Sequence, residues 1–250
     1  MKKKIEEAIW KLIETYCEEN QVENIWLEPV VKFADAKDPK FEQLKEIVVP
    51  NHYVPTDYME DAVTVLSWFL PFKRRISEEN AEGAMSSDSW ANAYLVTNEM
   101  FGYINEGLLK VIEDMGYKAC MPTNINMISF EVPKSRWSQR HVAYIAGHGT
   151  FGMNNMLISD KGCVGRYTSV ITTIPAAADS IPTEERCLYK KNGTCGLCFK
   201  RCAAGALTPD GFDRFKCLAQ CLENDKLHPG ADVCGKCVVE LPCSYPAAVK

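Results

Sequence analysis

Cysteines crowd into the last quarter of this chain, and their side chains are the residues best suited to chemistry. Nine of the twelve cysteines in the 250 residues lie between positions 187 and 243. They are Cys187, Cys195, Cys198, Cys202, Cys217, Cys221, Cys234, Cys237 and Cys243. Thiols at this density, in a chain without a secretory signal, are metal ligands more often than disulfides. The segment therefore predicts a metal centre.

The spacing of these cysteines favours two [4Fe–4S] clusters over other metal centres. In the bacterial two-cluster run C-x2-C-x2-C-x3-C, the fourth cysteine serves the other cluster. Cys195, Cys198 and Cys202 match the last three members, and Cys187 takes the place of the first. Applied here, this rule assigns the last cysteine of each run, Cys202 or Cys243, to the cluster of the other run. The first predicted cluster is then held by Cys187, Cys195, Cys198 and Cys243. The second is held by Cys202, Cys234, Cys237 and either Cys217 or Cys221. Gly196 and Gly235 lie inside two C-G-x-C units, which begin at Cys195 and Cys234. Glycine at these positions suits a backbone that passes close to the sulfide of a cluster.

Zinc and disulfides are the alternative uses of these thiols. Two C-x2-C units can hold one structural zinc ion, but that arrangement leaves five cysteines of the segment unexplained. A disulfide knot fits poorly, because nothing marks the chain as secreted and the first 186 residues contain only three cysteines. Those three, Cys17, Cys120 and Cys163, are expected to be small buried apolar side chains.

Composition and charge narrow the class of protein. An apolar fraction of 46% and a charged fraction of 24% are typical of a globular protein. The net charge of −5 argues against a large nucleic-acid surface, which usually carries a basic excess. No apolar run approaches the roughly 20 residues that cross a bilayer, and no apolar region of a signal peptide follows Met1. These features predict no membrane partner and a reducing cytoplasm as the location.

The residues before the cysteines must form the body that positions the metal centre. Apolar periodicity predicts helices over 3–18, 88–115 and from Ser135 to Gly147, and strands near 24–28, 45–49, 62–70 and 117–121. The strand over 62–70 is apolar on both faces, so it is expected at the centre of a sheet. Residues 72–87 are expected to form a solvated loop or a basic lip for an anionic ligand. Residues 156–159 and 167–174 are expected to pair as a hairpin.

Three glycines within six residues mark a second informative segment. Gly147, Gly149 and Gly152 allow the main chain to approach either a flat ligand or another backbone. A dinucleotide-binding glycine motif follows a strand and opens a helix, whereas here a helix precedes and a strand follows, so a nicotinamide site is excluded. His148 is a candidate ligand or proton donor, or alternatively a polar loop histidine bonded to the backbone.

A proline- and alanine-rich linker over 175–185 divides the chain in two. The expected domains are an α+β body over 1–176 and a cysteine-rich module over 177–250. A one-electron relay fused to a body with a glycine-lined loop implies an acceptor held where the two domains meet.

The order of these features resembles the superfamily of epoxyqueuosine reductases and corrinoid reductive dehalogenases. The matching residues are Ala146, Gly147, Gly149, Phe151, Gly152, Asn154, Gly162, Cys195, Cys198, Cys202, Ala206, Leu207, Cys217, Cys234, Cys237 and Cys243. The resemblance implies a nitroreductase-like sheet-and-helix body that binds cobalamin, followed by a two-cluster bacterial ferredoxin-like module. It places the cofactor contacts at Gly147, His148, Gly149, Thr150, Phe151, Gly152, Asn154, Asn155 and Met156.

The resemblance also implies a proton donor for the reduction, from an acid upstream of the glycine loop. Glu131 is the nearest equivalent, and the hydroxyl groups of Tyr103 and Tyr144 are alternatives. The acidic net charge and the short segment after Cys243 argue against tRNA as the substrate. Expected partners are a low-potential ferredoxin or flavodoxin and a small-molecule substrate or corrinoid protein.

Taken together, the sequence predicts a cytoplasmic iron–sulfur oxidoreductase that relays single electrons through two [4Fe–4S] clusters to cobalamin. Two further hypotheses stay open. The chain is either a non-catalytic protein that binds or activates a corrinoid for a partner, or a ferredoxin-type electron carrier without cobalamin.

Overall fold

The fold was analysed in a computed structural model, which describes residues 1–246. Its helices are α1 Lys2–Asn20, α2 Lys40–Ile47, α3 Pro55–Tyr58, α4 Arg74–Glu79, α5 Asp88–Asp114, α6 Gln139–Ile145, α7 Leu188–Asn192, α8 Leu197–Arg201 and α9 Arg214–Leu227. Its strands are β1 Val30–Asp35, β2 Thr64–Pro71, β3 Ala119–Cys120, β4 Gly149–Phe151, β5 Leu157–Ser159, β6 Gly165–Thr172, β7 Leu207–Thr208 and β8 Gly211–Phe212. Helices and sheet are mixed, as the α+β prediction requires.

A four-stranded antiparallel sheet lies at the centre of the body. The strand order is β1-β2-β6-β3. Every residue of β2 is buried, because helices cover both faces of the sheet. Leu66 and Trp68 pack in the cluster that contains the apolar residues of α1 and α5, whereas Val65 packs with Val142 of α6 on the other side. The predicted central strand is confirmed.

The helices α1 and α5 form one outer layer. Ile5, Ile9 and Ile13 of α1 are fully buried at the three-to-four-residue spacing of an amphipathic helix. At the start of α5, the Ser87 hydroxyl accepts a hydrogen bond from the backbone N–H of Trp90 at 3.2 Å, a normal N-cap contact. Both helices agree with the predicted spans of 3–18 and 88–115.

The weaker strand predictions near the N-terminus were wrong. Strand β1 begins at Val30, and Trp26 makes only an isolated bridge to Phe72. Residues 40–47 form α2 instead of a strand, because Phe41 and Leu44 bury one helical face against Val48. The short apolar runs between prolines gave no period long enough to distinguish a strand from a helix.

Three further predictions need correction. Strand β5 pairs with β4, while β6 pairs with β2 and β3, so the expected hairpin of 156–159 with 167–174 does not form. Residues 74–79 form α4 within the expected loop. Helix α6 begins after Ser138 rather than Ser135, because Ser135 bridges to Met127 in a preceding turn structure.

The linker is held firmly against the body. The Asp179 carboxylate accepts hydrogen bonds from the Lys2 ammonium at 2.6 Å and from the backbone N–H of Phe33 at 2.9 Å. The Arg186 guanidinium donates to the carbonyls of His148 at 3.0 Å and Ile158 at 3.1 Å. These contacts bring the cysteine-rich segment directly onto the strands β4 and β5. Across residues 1–246, no helix combines the length and apolarity needed to cross a membrane.

Candidate functional site

The cysteine-rich segment forms two groups of thiols. The first group lines a single cavity together with Met153 and Leu241. Its members are Cys187, Cys195, Cys198 and Cys243. Burial, followed by the nearby thiols of the other three members, raises the pKa of the Cys198 thiol to about 11. Four thiols that share a desolvated space suit a cationic centre that would bind them as thiolates.

The second group surrounds Cys237. Burial raises the pKa of the Cys237 thiol, and the thiols of Cys217, Cys234, Cys202 and Cys198 act on it in the same direction. Cys202 follows α8, Cys217 lies on α9, and Cys234 and Cys237 lie in the turn that follows α9. The thiols of Cys202, Cys217 and Cys234 therefore lie near Cys237, and so does that of Cys198 of the first group, so the two groups adjoin each other.

Cys217 and Cys221 compete for the last place in the second group. They lie one turn apart on α9, and each thiol shifts the pKa of the other: that of Cys217 is lowered and that of Cys221 is raised. Among the thiols, Cys217 has the largest effect on the pKa of Cys237. This effect favours Cys217 as the member of the group, and Cys221 is then the additional thiol.

The cysteines bear on the type of centre through their side-chain chemistry. Within the part of the chain that the structure describes, no three His, Cys, Asp or Glu side chains are placed to hold one metal ion. Thiolates are the ligands of [4Fe–4S] clusters, with four to each cluster. The cysteines of this segment match a pair of such clusters in donor type and number.

The turn that carries Cys234 and Cys237 is anchored to the body. Asn80 donates a hydrogen bond to the Cys234 carbonyl at 3.0 Å, and the buried Lys236 ammonium donates to the Asn80 carbonyl at 2.9 Å. Gly235 has a φ of +73°, and a Cβ there would lie 2.2 Å from the indole of Trp90. Helix α5 therefore fixes the position of this turn.

The first two glycines of the 147–152 segment are explained by backbone packing. A Cβ on Gly147 would lie 2.5 Å from the Ser180 carbonyl oxygen, and one on Gly149 would lie 1.9 Å from that of Ile158. Of the two uses predicted for these glycines, the structure therefore supports close approach of another backbone. Both are buried, which leaves the later residues of the segment nearer the surface.

His148 is a buried, neutral histidine. Its side chain is 2% exposed, and its Nε2 lies 3.2 Å from the Ser67 carbonyl oxygen. Burial lowers the pKa of His148 to about 3. Its Nδ1 has no hydrogen-bond partner within residues 1–246. The placement matches the predicted loop histidine bonded to the backbone.

Residues 150–156 connect the body with both thiol groups. The Asn154 side chain donates a hydrogen bond to the Cys237 carbonyl at 2.9 Å, while Met153 lines the cavity of the first group. Thr150 accepts a hydrogen bond from the backbone N–H of Arg186, next to Cys187. This segment is the point at which body and cysteine-rich segment meet.

Helix α6 contributes functional candidates that sequence reasoning missed. Arg140 donates to the Asn155 carbonyl at 2.9 Å and contacts the Met156 sulfur at 3.0 Å. Burial lowers the pKa of Arg140 and Arg214 lowers it further, whereas the thiols of Cys237 and Cys217 raise it. Arg140 therefore lies near the second group. A single arginine before a glycine-rich segment gives no distinctive spacing, which is why the sequence did not reveal it.

Aromatic side chains lie beside Arg140 on the face of α6 that contacts residues 151–156. The ring of Phe151 lies 4.8 Å from that of His141 and 5.9 Å from that of Tyr144. Burial lowers the pKa of His141 to about 4, with Arg140 next in effect. Near neutral pH this face therefore offers a neutral imidazole, a phenol and a guanidinium beside residues 151–156.

Two of the three predicted proton donors lie away from the glycine segment over residues 147–152. Tyr103 lies on α5, on the opposite side of the sheet from α6, and its hydroxyl donates to Glu19 at 3.2 Å. Glu131 is exposed between Met127 and Ser135, and hydrogen bonds from its own backbone N–H and from Ser129 lower its pKa. Neither is brought to the glycine segment, whereas Tyr144 is.

Comparison with solved structures identifies proteins of the same fold. An epoxyqueuosine reductase from Streptococcus thermophilus aligns over 95% of this chain with a TM-score of 0.57 and 18% identity. An epoxyqueuosine reductase with an epoxyqueuosine-modified tRNA stem loop aligns over 92%, with a TM-score of 0.52 and 18% identity. A catabolic reductive dehalogenase aligns over 86%, with a TM-score of 0.57 and 15% identity.

The chain thus has the fold shared by epoxyqueuosine reductases and a reductive dehalogenase, as the sequence resemblance predicted. It spans 68% of the Streptococcus thermophilus protein, 64% of the protein with the tRNA stem loop and 30% of the dehalogenase. For a further epoxyqueuosine reductase, from Bacillus subtilis, the share is 57%. No family model and no curated protein matches the chain.

Proposed function

We propose that this chain is an iron–sulfur reductase in which two [4Fe–4S] clusters pass single electrons to a cobalamin bound beside residues 151–156. The observation that carries the proposal is the Asn154 hydrogen bond to the Cys237 carbonyl. It joins the segment expected to contact the cofactor with the turn expected to hold the second cluster. Electrons leaving that cluster would reach this segment over a short path.

The thiol groups supply the ligands in this proposal. Cys187, Cys195, Cys198 and Cys243 would hold the first cluster, and Cys202, Cys217, Cys234 and Cys237 the second. Asn80 and Lys236 would keep the second ligand turn fixed during electron transfer. A fixed ligand turn limits reorganisation when the cluster changes charge, which favours fast transfer.

Cobalamin, when bound, supplies a strongly reducing cobalt centre that can reduce a substrate by two electrons. Arg140 suits the amide and phosphate oxygens of this cofactor, because its guanidinium is half-buried and presents planar N–H donors. The half-buried Phe151, Asn155 and Met156 would supply its other contacts. Gly147, His148 and Gly149 are buried, so they would hold residues 150–156 in position without contacting the cofactor through their side chains.

Tyr144 is the proton donor that the geometry favours. It lies on α6 beside Phe151, whereas Tyr103 is bonded to Glu19 on the other side of the sheet. Glu131 remains available only if its segment moves towards α6. The electron donor is expected to be a low-potential ferredoxin or flavodoxin, and the substrate a small molecule, because the chain is acidic overall.

Cobalamin binding to anaerobically reconstituted protein tests the proposal. We expect the absorbance spectrum of added cobalamin to change on binding, with the affinity reduced about 10-fold or more in Arg140→Ala, since a charge-assisted hydrogen bond contributes about 1.5–3 kcal/mol. Arg75→Ala is the matched control, because Arg75 is exposed and pairs with Glu23 on the surface. The affinity of the control should equal that of the wild type.

The outcome also separates the other hypotheses. Iron-loaded protein that never binds cobalamin would instead be a ferredoxin-type carrier. Protein that binds cobalamin and reduces it, yet turns over no acceptor, would be a corrinoid-activating protein. Protein that takes up neither iron nor cobalamin contradicts the proposal as a whole.

A further inference from the structure

Cys163 belongs to the body, yet it contacts a cysteine of the first thiol group. Its side chain is 1% exposed, and its thiol donates to the Cys243 sulfur at 4.0 Å. Its backbone N–H also donates to the Cys243 carbonyl at 3.0 Å. Two donors of one residue are thus directed at one cysteine. A small apolar side chain, as the sequence predicted for Cys163, would supply only the second.

Tight packing fixes this contact. The preceding residue, Gly162, has a φ of +84°, and a Cβ there would lie 2.1 Å from the Ser244 carbonyl oxygen. Val164 donates its backbone N–H to the same oxygen at 3.4 Å. The turn between β5 and β6 therefore lies directly on the backbone of residues 243–244. Cys163 has little freedom to turn its thiol elsewhere.

We propose that Cys163 is a positioning residue that donates its S–H to the Cys243 thiolate and thereby raises the reduction potential of the first cluster. The inference rests on the proposed function, because it requires a cluster on Cys243. Reduction adds negative charge to the cluster and its thiolates, and a donor to a ligand sulfur stabilises that charge. A thiol is a weak donor in water, but burial strengthens a hydrogen bond because the local dielectric is low.

Potentiometric titration of the reconstituted protein, followed by electron paramagnetic resonance, tests this role. In Cys163→Ala, we expect the midpoint potential of one cluster to fall while that of the other stays at the wild-type value. Cys163→Ser restores a donor, so its midpoint potential should lie above that of Cys163→Ala. Cys120→Ala is the matched control, since the Cys120 thiol contacts the Tyr58 carbonyl on a different part of the sheet. Both of its midpoints should be unchanged.

Iron content distinguishes failure of this inference from failure of the proposed function. A wild-type protein without iron overturns the proposed function and this inference with it. Full iron with unchanged midpoints in Cys163→Ala overturns the inference alone, as does an equal fall in Cys163→Ser. Loss of about four irons in Cys163→Ala would make Cys163 a ligand and also overturns it.

A measurement on the unaltered protein covers the case in which Cys163→Ala does not fold. Hyperfine spectroscopy of the reduced wild-type protein should detect a proton that is magnetically coupled to a cluster and that is replaced by deuterium in heavy water. The coupling should be absent in Cys163→Ala, and it should change in magnitude in Cys163→Ser, where an O–H replaces the S–H donor. A wild-type protein without such a coupling overturns the inference.

Discussion

Replacing Gly235 with alanine should disable the second cluster while a nearly identical replacement elsewhere does not. Gly235 and Gly193 both lie in the cysteine-rich segment, with φ of +73° and +75°. A Cβ on Gly193 would meet nothing within 4 Å, whereas one on Gly235 would lie 2.2 Å from Cε2 of Trp90. The two variants therefore share the backbone cost and differ in the steric overlap.

The expected magnitudes follow from these two terms. A non-glycine residue in the left-handed region costs about 1–2 kcal/mol, which applies to both variants. Overpacking against a fixed side chain adds about 1–3 kcal/mol for Gly235→Ala. Trp90 cannot easily yield, because it is 6% exposed and packs edge-on against Phe72 at 5.9 Å. The turn cannot retreat either, because Asn80 holds the Cys234 carbonyl.

Iron content and urea unfolding of the reconstituted variants measure the effect. Gly193→Ala should keep about eight irons per chain. Gly235→Ala should keep about four and unfold at a lower urea concentration. Equal iron content and equal unfolding midpoints in the two variants would refute the anchoring role given to Trp90 and the turn.

Three other predictions address the ligands, a buried histidine and the linker. Cys217→Ser should lose about four irons and Cys221→Ser none; the reverse pattern in iron analysis would exchange their roles. The free energy of unfolding should fall by up to about 1.4 kcal/mol per pH unit as pH drops from about 6.5 to about 5, because unfolded His148 takes up a proton that the folded residue, with a pKa of about 3, does not. His148→Asn should make that fall shallower in urea titrations, and an unchanged slope would contradict this explanation. Asp179→Asn should destabilise the fold by about 1–3 kcal/mol, because it removes the negative charge and one of the two oxygens that accept from Lys2 and Phe33. The exposed Asp61→Asn should cost less than about 1 kcal/mol in the same unfolding assay.

Local patterns in the sequence predicted those helices and strands whose apolar pattern continues over many residues. Helices α1 and α5 repeat their apolar residues over many turns, and β2 is apolar on both faces, so all three were predicted correctly. The partner of β6 was not predictable, because its pairing with β2 joins residues about a hundred positions apart. The sequence there offered only a local turn, which favoured the hairpin that does not form.

The candidate site also has features that the sequence predicted and features that it did not. Cysteine spacing predicted two groups of thiols; the structure places the four members predicted for the first group around one cavity, and the membership of the second group stays a prediction. The glycine pattern was visible, but it did not reveal that Gly149 packs against the Ile158 carbonyl. Arg140 and Cys163 could not be recognised, because each matters through contacts with residues distant in the chain.

The most direct test of the central claim is the electron paramagnetic resonance spectrum of anaerobically reconstituted, dithionite-reduced protein with its iron and sulfide contents. The account predicts about eight irons and eight sulfides per chain and the signal of two magnetically interacting [4Fe–4S] clusters. A colourless protein that binds zinc, contains no acid-labile sulfide and gives no signal after reconstitution would contradict it.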